Sequence, residues 1–268
     1  MKIGILTFHD AMNYGAVLQA YALQKKLSAL GAKPEIINYV ASGMEFESKL
    51  IKPNDKKDIK LAAKILFRWI KRKEFSDFIK KNIPVSIKVD YKGLHKLGGL
   101  YEAVIVGSDQ VWNDSCIKGD NSFVLSFVPH CKRYSYAVST GGSRENTDRF
   151  IERYSRDIAG FQTISVRENN TYNIFKEKYN NVRLDVDPVL LLDGGEWMQV
   201  TSNRLYTKPY AFLYVVGGVN NIKRFAADYA RKKGLVLIDN KTSVEFMKHC
   251  SPSDFLSWIA HADTVITN

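Results

Sequence analysis

Short apolar runs that end in glycine or polar residues recur along the chain, and amphipathic segments separate them. The clearest run is Val104–Val106, which leads directly into Gly107, Ser108 and Asp109. A run of β-branched residues is typical of a buried strand in a parallel sheet. Because ligands of open α/β sheets bind outside the carboxyl ends of such strands, the pattern predicts a site at the residues that follow Val106.

Three further runs share this layout of an apolar strand and a polar end. The polar ends are the loop 8–15 after Ile3–Leu6, Ser139–Gly142 after Tyr136–Val138, and Arg167 with Glu168 after Thr163–Val166. If these strands lie side by side, their polar residues converge on one edge of the sheet.

The segment 1–40 is predicted to form a βαβ unit. Between its two strands, one apolar stripe at helical spacing is formed by Ala16, Ala20, Leu23, Leu27 and Leu30. The loop before that helix has neither the GxGxxG motif nor the P-loop motif. The sequence therefore gives little support for a dinucleotide-binding protein or a P-loop NTPase. Backbone N–H groups at Asn13 and Gly15 are predicted to bind an anion at the helix N-terminus, and a tight turn required for packing is the alternative.

The pattern of strands and helices restarts near residue 200. Residues 202–208 read as a linker, and apolar strands are predicted at 210–216, 235–238 and 264–267. No loop or helix follows the last of these strands to pack on its faces, so we expect the second domain to be truncated at its C-terminus. The predicted organisation is an α/β chain with a first Rossmann-like domain over 1–200 and an incomplete second one over 201–268.

The composition fits a globular protein with a substantial core. Of the 268 residues, 45% are hydrophobic and 25% are charged. No apolar run approaches the roughly 20 residues of a membrane span, and the start reads as a strand, so a cytoplasmic location is expected. The three cysteines form no CxxC pair, which argues against a disulfide framework and a zinc site, and no metal or cofactor is predicted.

The net charge of +11 is concentrated in one segment. Residues 52–81 hold eleven Lys or Arg against four acids, with apolar residues at helical spacing between them. This segment is predicted to be a basic helical insertion in the first domain. A solvated helix face is one interpretation, and attraction to an anionic membrane surface or glycan is another. No nucleic-acid partner is expected, because none of the usual binding modules is present.

The order of several motifs resembles the polysaccharide pyruvyl transferase family over most of the chain. The matching stretches are Asn13–Leu23, Gly107–Asn113, Ser165–Glu168, Asp187–Leu191 and Val265–Asn268. The resemblance implies two Rossmann-like domains facing a cleft, similar to GT-B glycosyltransferases. It also implies transfer of a pyruvyl unit from phosphoenolpyruvate to a sugar, closing a cyclic ketal. In the family the Thr-Asn pair continues into Ser-Phe-His-Gly, so part of the site is expected beyond Asn268.

Phosphoenolpyruvate would bring a phosphate and a carboxylate into the site. A guanidinium can bind either anion bidentately, so Arg167 at its strand end is predicted to bind the donor, and an ion pair with a neighbouring carboxylate is the alternative. Ser108 and Gln110 are predicted to contact substrate. Trp112 is a candidate for stacking on a sugar ring, although an aromatic residue beside an apolar strand more often belongs to the core.

The reaction also requires proton transfer to the enol carbon and from a sugar hydroxyl. Asp109 is predicted to be catalytic, with a structural loop cap as the alternative. His9 and Asp10 follow the first strand, where an imidazole that titrates near neutrality would be useful, and a local hydrogen bond is the alternative for both.

Other functions stay open from the sequence alone. A GT-B-type glycosyltransferase that uses a nucleotide sugar would share the two-domain pattern. An inactive, truncated remnant is the second alternative, because half a cleft cannot preorganise charge around a transition state. Under the transferase hypothesis the acceptor is a glycan or lipid-linked sugar, and the enzyme is cytoplasmic with peripheral contact at the inner face of the membrane.

Overall fold

The computed structural model describes residues 1–39, 61–217 and 220–268, without the side chains of 61–64 and 220. The chain divides into two compact units, one of residues 1–57 with 79–193 and one of residues 58–78 with 194–268. The sequence prediction placed the boundary near residue 200 and assigned the basic segment to the first domain. Residues 58–78 group with the second unit, and the domain boundaries stay a prediction.

The first unit is built on a parallel sheet. Its strands are β1 (Lys2–Leu6), β2 (Lys33–Ile36), β3 (Ala103–Val106), β4 (Arg133–Ser135), β5 (Ile164–Val166) and β6 (Val182–Leu184). The first four pair in the order β2-β1-β3-β4, and β5 pairs with β6. Single parallel bridges, Tyr134 to Thr163 and Val138 to Val166, join β4 to β5 and extend the order to 2-1-3-4-5-6.

Helices connect these strands. They are α1 (Tyr14–Ala29), α2 (Leu61–Asn82), α3 (Tyr91–Gly98), α4 (Asp114–Ile117), α5 (Arg144–Ile158) and α6 (Asn169–Lys176), and α2 begins in the second unit and ends in the first. Short 3-10 turns lie at Asn121–Val124, His130–Lys132 and Pro188–Leu191. Side-chain oxygens cap several of these helices; for example, Asn13 accepts from the N–H of Ala16 at α1 and Ser143 from that of Asn146 at α5.

The strand order reverses between β1 and β3, because β2 lies on one side of β1 and all later strands lie on the other. Open α/β sheets bind ligands outside the carboxyl ends of the strands at such a reversal. Thr7 and Gly107 follow β1 and β3 there, and a Cβ added to Gly107 would lie 3.0 Å from the Cβ of Thr7. A glycine therefore lets these two strand ends approach closely.

The core of the first unit is centred on Trp112, which is fully buried. Its ring stacks between Phe150 and Phe175 at centroid distances of 5.2 and 5.6 Å, and Phe161 meets it edge-on at 5.5 Å. The indole N–H donates to the carbonyl of Phe123 at 2.8 Å. Trp112 is thus held on both faces and at its polar nitrogen.

The second unit repeats the start of the first. Its strands β7 (Tyr210–Tyr214), β8 (Val236–Asp239) and β9 (Thr264–Thr267) are parallel in the order β8-β7-β9. Its own helices are α7 (Gly194–Met198), α8 (Asn220–Lys233), α9 (Val244–Lys248) and α10 (Pro252–Ala260). The prediction of an α/β chain with parallel sheets is confirmed, and the GT-B-like arrangement of two domains around a cleft stays a prediction.

Candidate functional site

A cluster of charged side chains lies at the carboxyl ends of the strands of the first unit, with Arg167 at its centre. The Nη1 group of Arg167 donates to Oδ2 of Asp187 at 2.7 Å and to Oγ of Ser108 at 3.2 Å. Its Nε donates to Oε1 of the adjacent Glu168 at 3.1 Å. One guanidinium therefore links the ends of β3, β5 and β6, as the convergence of parallel strands predicted for Arg167 and Ser108.

The guanidinium of Arg167 keeps one donor group available. No hydrogen-bond acceptor among the described residues contacts Nη2, and the side chain retains 25% of its exposure. Burial favours a lower pKa for Arg167, but hydrogen bonding to Glu168 and the charges of Asp187, Glu168 and Asp109 outweigh it and raise the pKa. The side chain is thus a permanent cation that is oriented by carboxylates and can bind an anion at Nη2.

Asp109 has a strained backbone beside this cation. Its φ is +88°, a left-handed value that non-glycine residues adopt rarely and that is concentrated at functional sites. Its Oδ1 accepts from the N–H of Gln110 at 2.7 Å, and its carbonyl accepts from the N–H of Ser139 at 2.9 Å. Burial raises the pKa of Asp109, and the charge of Asp187 adds to the rise. The hydrogen bond from the Gln110 N–H and the charge of Arg167 act in the opposite direction but do not cancel it.

Asp187 is the principal member of the cluster that the sequence reasoning missed as a site residue. Its Oδ1 caps the turn Pro188–Leu191 by accepting from the N–H of Val189 at 3.1 Å, and Ser108 Oγ donates to its Oδ2 at 3.2 Å. A nearby acid, Asp185, accepts from Ser165 Oγ at 2.6 Å. Both acids follow β6, so the same rule that pointed to Asp109 and Arg167 could have found them.

The polysaccharide pyruvyl transferase family model matches residues 13–268, nearly the whole chain. The chain belongs to the polysaccharide pyruvyl transferase family. No curated protein matches it. Among solved structures, the UDP-GlcNAc 2-epimerase from Neisseria meningitidis bound to UDP-GlcNAc is similar at 11% identity and a TM-score of 0.39, over 100% of this chain and 72% of that chain. The likeness to the epimerase carries no functional argument.

The other site residues predicted near the start of the chain make separate local contacts. His9 is buried, with Nδ1 3.2 Å from the carbonyl of Thr7 and Nε2 3.4 Å from Oδ1 of Asn38, and burial lowers its pKa. Asp10 and Gly15 are exposed, and Asn13 uses its side chain to cap α1. Within the described ranges, none of these four residues hydrogen-bonds to Asp109 or Arg167.

Gln110 and Trp112 have different surroundings. The side-chain carbonyl of Gln110 accepts from Nδ2 of Asn113 at 2.7 Å, which braces the loop after Asp109. Trp112 was predicted to stack on a sugar ring, but it is fully buried and its ring already stacks with Phe150 and Phe175. The complete burial of Trp112 agrees with the core alternative, and the stacking role stays a prediction.

The described residues offer neither a metal site nor a membrane span. In residues 1–39, 61–217 and 220–268, no group of three His, Cys, Asp or Glu side chains could hold a metal ion. Over the same ranges, no helix has the length and apolarity needed to cross a membrane.

Proposed function

We propose that this protein transfers a pyruvyl unit from phosphoenolpyruvate to a sugar of a polysaccharide or its precursor and closes a cyclic ketal on two hydroxyls. Membership of the pyruvyl transferase family supports the reaction class. The observation that supports phosphoenolpyruvate as donor is a fixed, partly exposed guanidinium at Arg167 whose charge acts on the strained, partly buried carboxyl of Asp109. The two side chains offer an anion contact and a proton donor at one strand edge.

The proposed chemistry assigns a separate role to each carboxyl group. Asp109, whose raised pKa favours the acid form, gives its proton to the methylene carbon of phosphoenolpyruvate. A sugar hydroxyl then adds to the neighbouring carbon, and the carboxylate of Asp187, which Arg167 contacts at 2.7 Å, takes the hydroxyl proton. The bond from that carbon to the phosphate oxygen breaks, phosphate leaves, and the second hydroxyl adds to close the ketal while its proton passes to solvent or phosphate.

Arg167 is proposed to bind the donor through Nη2. Asp187 and Glu168 hold its other nitrogens, so the fork is oriented before the ligand arrives and little side-chain freedom is lost on binding. A preorganised cation at this position would also stabilise charge on the departing phosphate.

Replacing Arg167 with lysine tests the donor site. The charge is kept but the planar fork is lost, so we expect the Kd for phosphoenolpyruvate in calorimetry to rise by about 10- to 100-fold, the loss of a charged hydrogen bond. Arg153→Lys is the matched control, because Arg153 donates to both oxygens of Asp114 outside the cluster. An unchanged affinity of Arg167→Lys for phosphoenolpyruvate would show that Arg167 does not bind the donor. Tight binding of UDP or GDP, without binding of phosphoenolpyruvate, would favour a glycosyltransferase.

We further propose that the acceptor is a glycan or lipid-linked sugar and that α2 approaches an anionic membrane surface. The aromatic residues Phe75 and Phe78 of this helix are buried, as core packing predicts, but Leu66 and Trp69 are 57% and 53% exposed. Arg72 and Lys73 are exposed beside them. Apolar and basic side chains on one helix face are typical of binding at a lipid interface.

Vesicle sedimentation tests the membrane contact. We expect the protein to sediment with phosphatidylglycerol vesicles and not with phosphatidylcholine vesicles, and Arg72→Gln/Lys73→Gln to weaken the binding by about 30-fold, at roughly 1 kcal/mol for each of the two basic residues. Lys232→Gln/Lys233→Gln removes equal charge from the exposed end of α8. Equal losses in both variants, or equal binding to both vesicles, would contradict a role for this face of α2.

A further inference from the structure

Two buried side chains connect α1 to the turn that carries Asp109. Thr7, which follows β1 and is 1% exposed, donates from Oγ1 to the carbonyl of Ser108 at 2.8 Å. Gln19 of α1, which is 2% exposed, donates from Nε2 to the same Thr7 oxygen at 2.9 Å and to the carbonyl of Ala16 at 2.9 Å. A continuous set of hydrogen bonds therefore runs from α1 through the end of β1 to the end of β3.

The direction of the Thr7 hydroxyl follows from these contacts. A threonine hydroxyl has one hydrogen to donate and can accept through its lone pairs. Because the N–H of Gln19 occupies the oxygen as a donor, the hydroxyl hydrogen is free to point at Ser108. Gln19 thus selects the orientation in which Thr7 holds the Ser108 carbonyl.

The held carbonyl belongs to the peptide that joins Ser108 to Asp109. A left-handed φ at a residue other than glycine costs of order 1–3 kcal/mol and persists where the surroundings hold it. Thr7 fixes the peptide before Asp109, and the N–H of Ser139 fixes the carbonyl after it. Release of either contact would allow Asp109 to relax toward an ordinary backbone and its carboxyl to move away from Arg167.

Gln19 has a feature that packing alone does not explain. Its Oε1 is buried and has no hydrogen-bond partner among the described residues. An unsatisfied buried acceptor destabilises a fold by about 1–3 kcal/mol, and an apolar side chain of similar size would avoid this. The hydrogen bond from Nε2 to Thr7 therefore explains an amide at this position better than core packing does.

We propose that Thr7 and Gln19 are positioning residues, which hold the Ser108–Asp109 turn in the geometry that the transfer reaction requires. The inference rests on the proposed function, since that function makes Asp109 the proton donor. Neither residue touches the substrate in this proposal. The contact of Thr7 with Ser108 lies where the strand order reverses between β1 and β3, and Gly107 permits the close approach of Thr7 that this contact needs.

Thr7→Val removes the hydroxyl and keeps the shape. We expect kcat to fall by about 10- to 100-fold with a smaller change in the KM for phosphoenolpyruvate, because a misplaced acid slows the chemistry more than donor binding. Thr7→Ser keeps the hydroxyl and should restore kcat. Thr163→Val is the matched control, because it makes the same chemical change next to the amino end of β5, away from the site. Its kcat should equal that of the wild type. Melting temperatures of all three variants show whether each one folds.

A titration of the Asp109 carboxyl by NMR separates this inference from the proposed function. The charged groups that face Asp109, Arg167 and Asp187, are unchanged in Thr7→Val. Relaxation of the turn brings the carboxyl closer to water, so its pKa should fall toward the ordinary aspartate range in Thr7→Val and return in Thr7→Ser. If the wild type shows no turnover but the pKa of Asp109 falls in Thr7→Val, the proposed function is overturned. The positioning of Asp109 by Thr7 would still stand.

Double substitution tests whether the two residues act together. Gln19→Met should lower kcat by less than Thr7→Val, and the double variant should match Thr7→Val, because groups acting through one contact are not additive. Wild-type kcat and an unshifted Asp109 titration in a folded Thr7→Val protein would overturn the proposal. Fully multiplicative losses would show that Gln19 acts by a route other than Thr7.

Discussion

Asp109→Asn is expected to lower kcat for pyruvyl transfer by about 10²- to 10⁴-fold, the usual contribution of a positioned proton donor, while the Kd for phosphoenolpyruvate changes little. The asparagine amide has nearly the same shape as the carboxyl group but no acidic proton to transfer. Steady-state kinetics give kcat, and calorimetry gives the Kd. For the wild type, kcat should fall as the pH rises through the raised pKa of Asp109, because the acid form is then lost.

The same substitution should raise stability in one range of pH. Because burial raises the pKa of Asp109 in the folded state, the folded protein binds this proton more tightly than the unfolded chain does. The ionised carboxylate therefore destabilises the fold above that pKa, and the penalty disappears as the pH falls below the ordinary aspartate value of about 4. Melting temperatures of Asp109→Asn should exceed those of wild type at neutral pH and converge with them in acid.

A matched control separates catalysis from general charge effects. Asp90 caps α3 by accepting from the N–H of Gly93 at 2.8 Å, and asparagine caps equally well. Asp90→Asn should leave kcat and the melting temperature near those of wild type. Wild-type turnover in Asp109→Asn would show that Asp109 is only a loop cap, the alternative that the sequence left open.

Trp112→Ala is expected to destabilise the first unit by about 3–5 kcal/mol, the usual result of removing a large buried aromatic side chain. The loss has two sources, the cavity between Phe150 and Phe175 and the unpaired carbonyl of Phe123. Denaturant unfolding followed by circular dichroism measures it. The exposed Trp69 is the comparison, and Trp69→Ala should change the free energy of unfolding by less than about 1 kcal/mol.

Trp112→Phe distinguishes the core from a sugar-binding role. The smaller ring still packs between its two neighbours, so a smaller loss of stability is expected and the KM for the sugar acceptor should not change. A raised KM with wild-type stability would instead support the stacking prediction for Trp112.

The sequence alone was enough to predict several features of the site. Short β-branched runs ending at Gly107 and Arg167 predict parallel strands, and the carboxyl ends of parallel strands share one edge of a sheet. By this rule Ser108, Asp109 and Arg167 are expected at the same edge of the sheet. The ordered motifs also indicated the family, which the match over residues 13–268 confirms.

The sequence left open an ion pair of Arg167 with a neighbouring carboxylate, but it did not show that Asp187 is the partner. The two residues belong to different strand ends, and their contact depends on β5 pairing directly with β6. Strand neighbours are set by long-range packing, which local residue patterns do not encode uniquely.

The sequence by itself thus determined the α/β class, the edge on which the polar residues gather, and the family. Only the tertiary structure decided that Trp112 points into the core, that Asp109 adopts a left-handed backbone, and that α1 reaches Ser108 through Thr7. The physical reason is that periodicity reports which residues prefer burial and which strands are parallel. The direction of one side chain and the strain of one peptide arise from contacts between residues far apart in the chain.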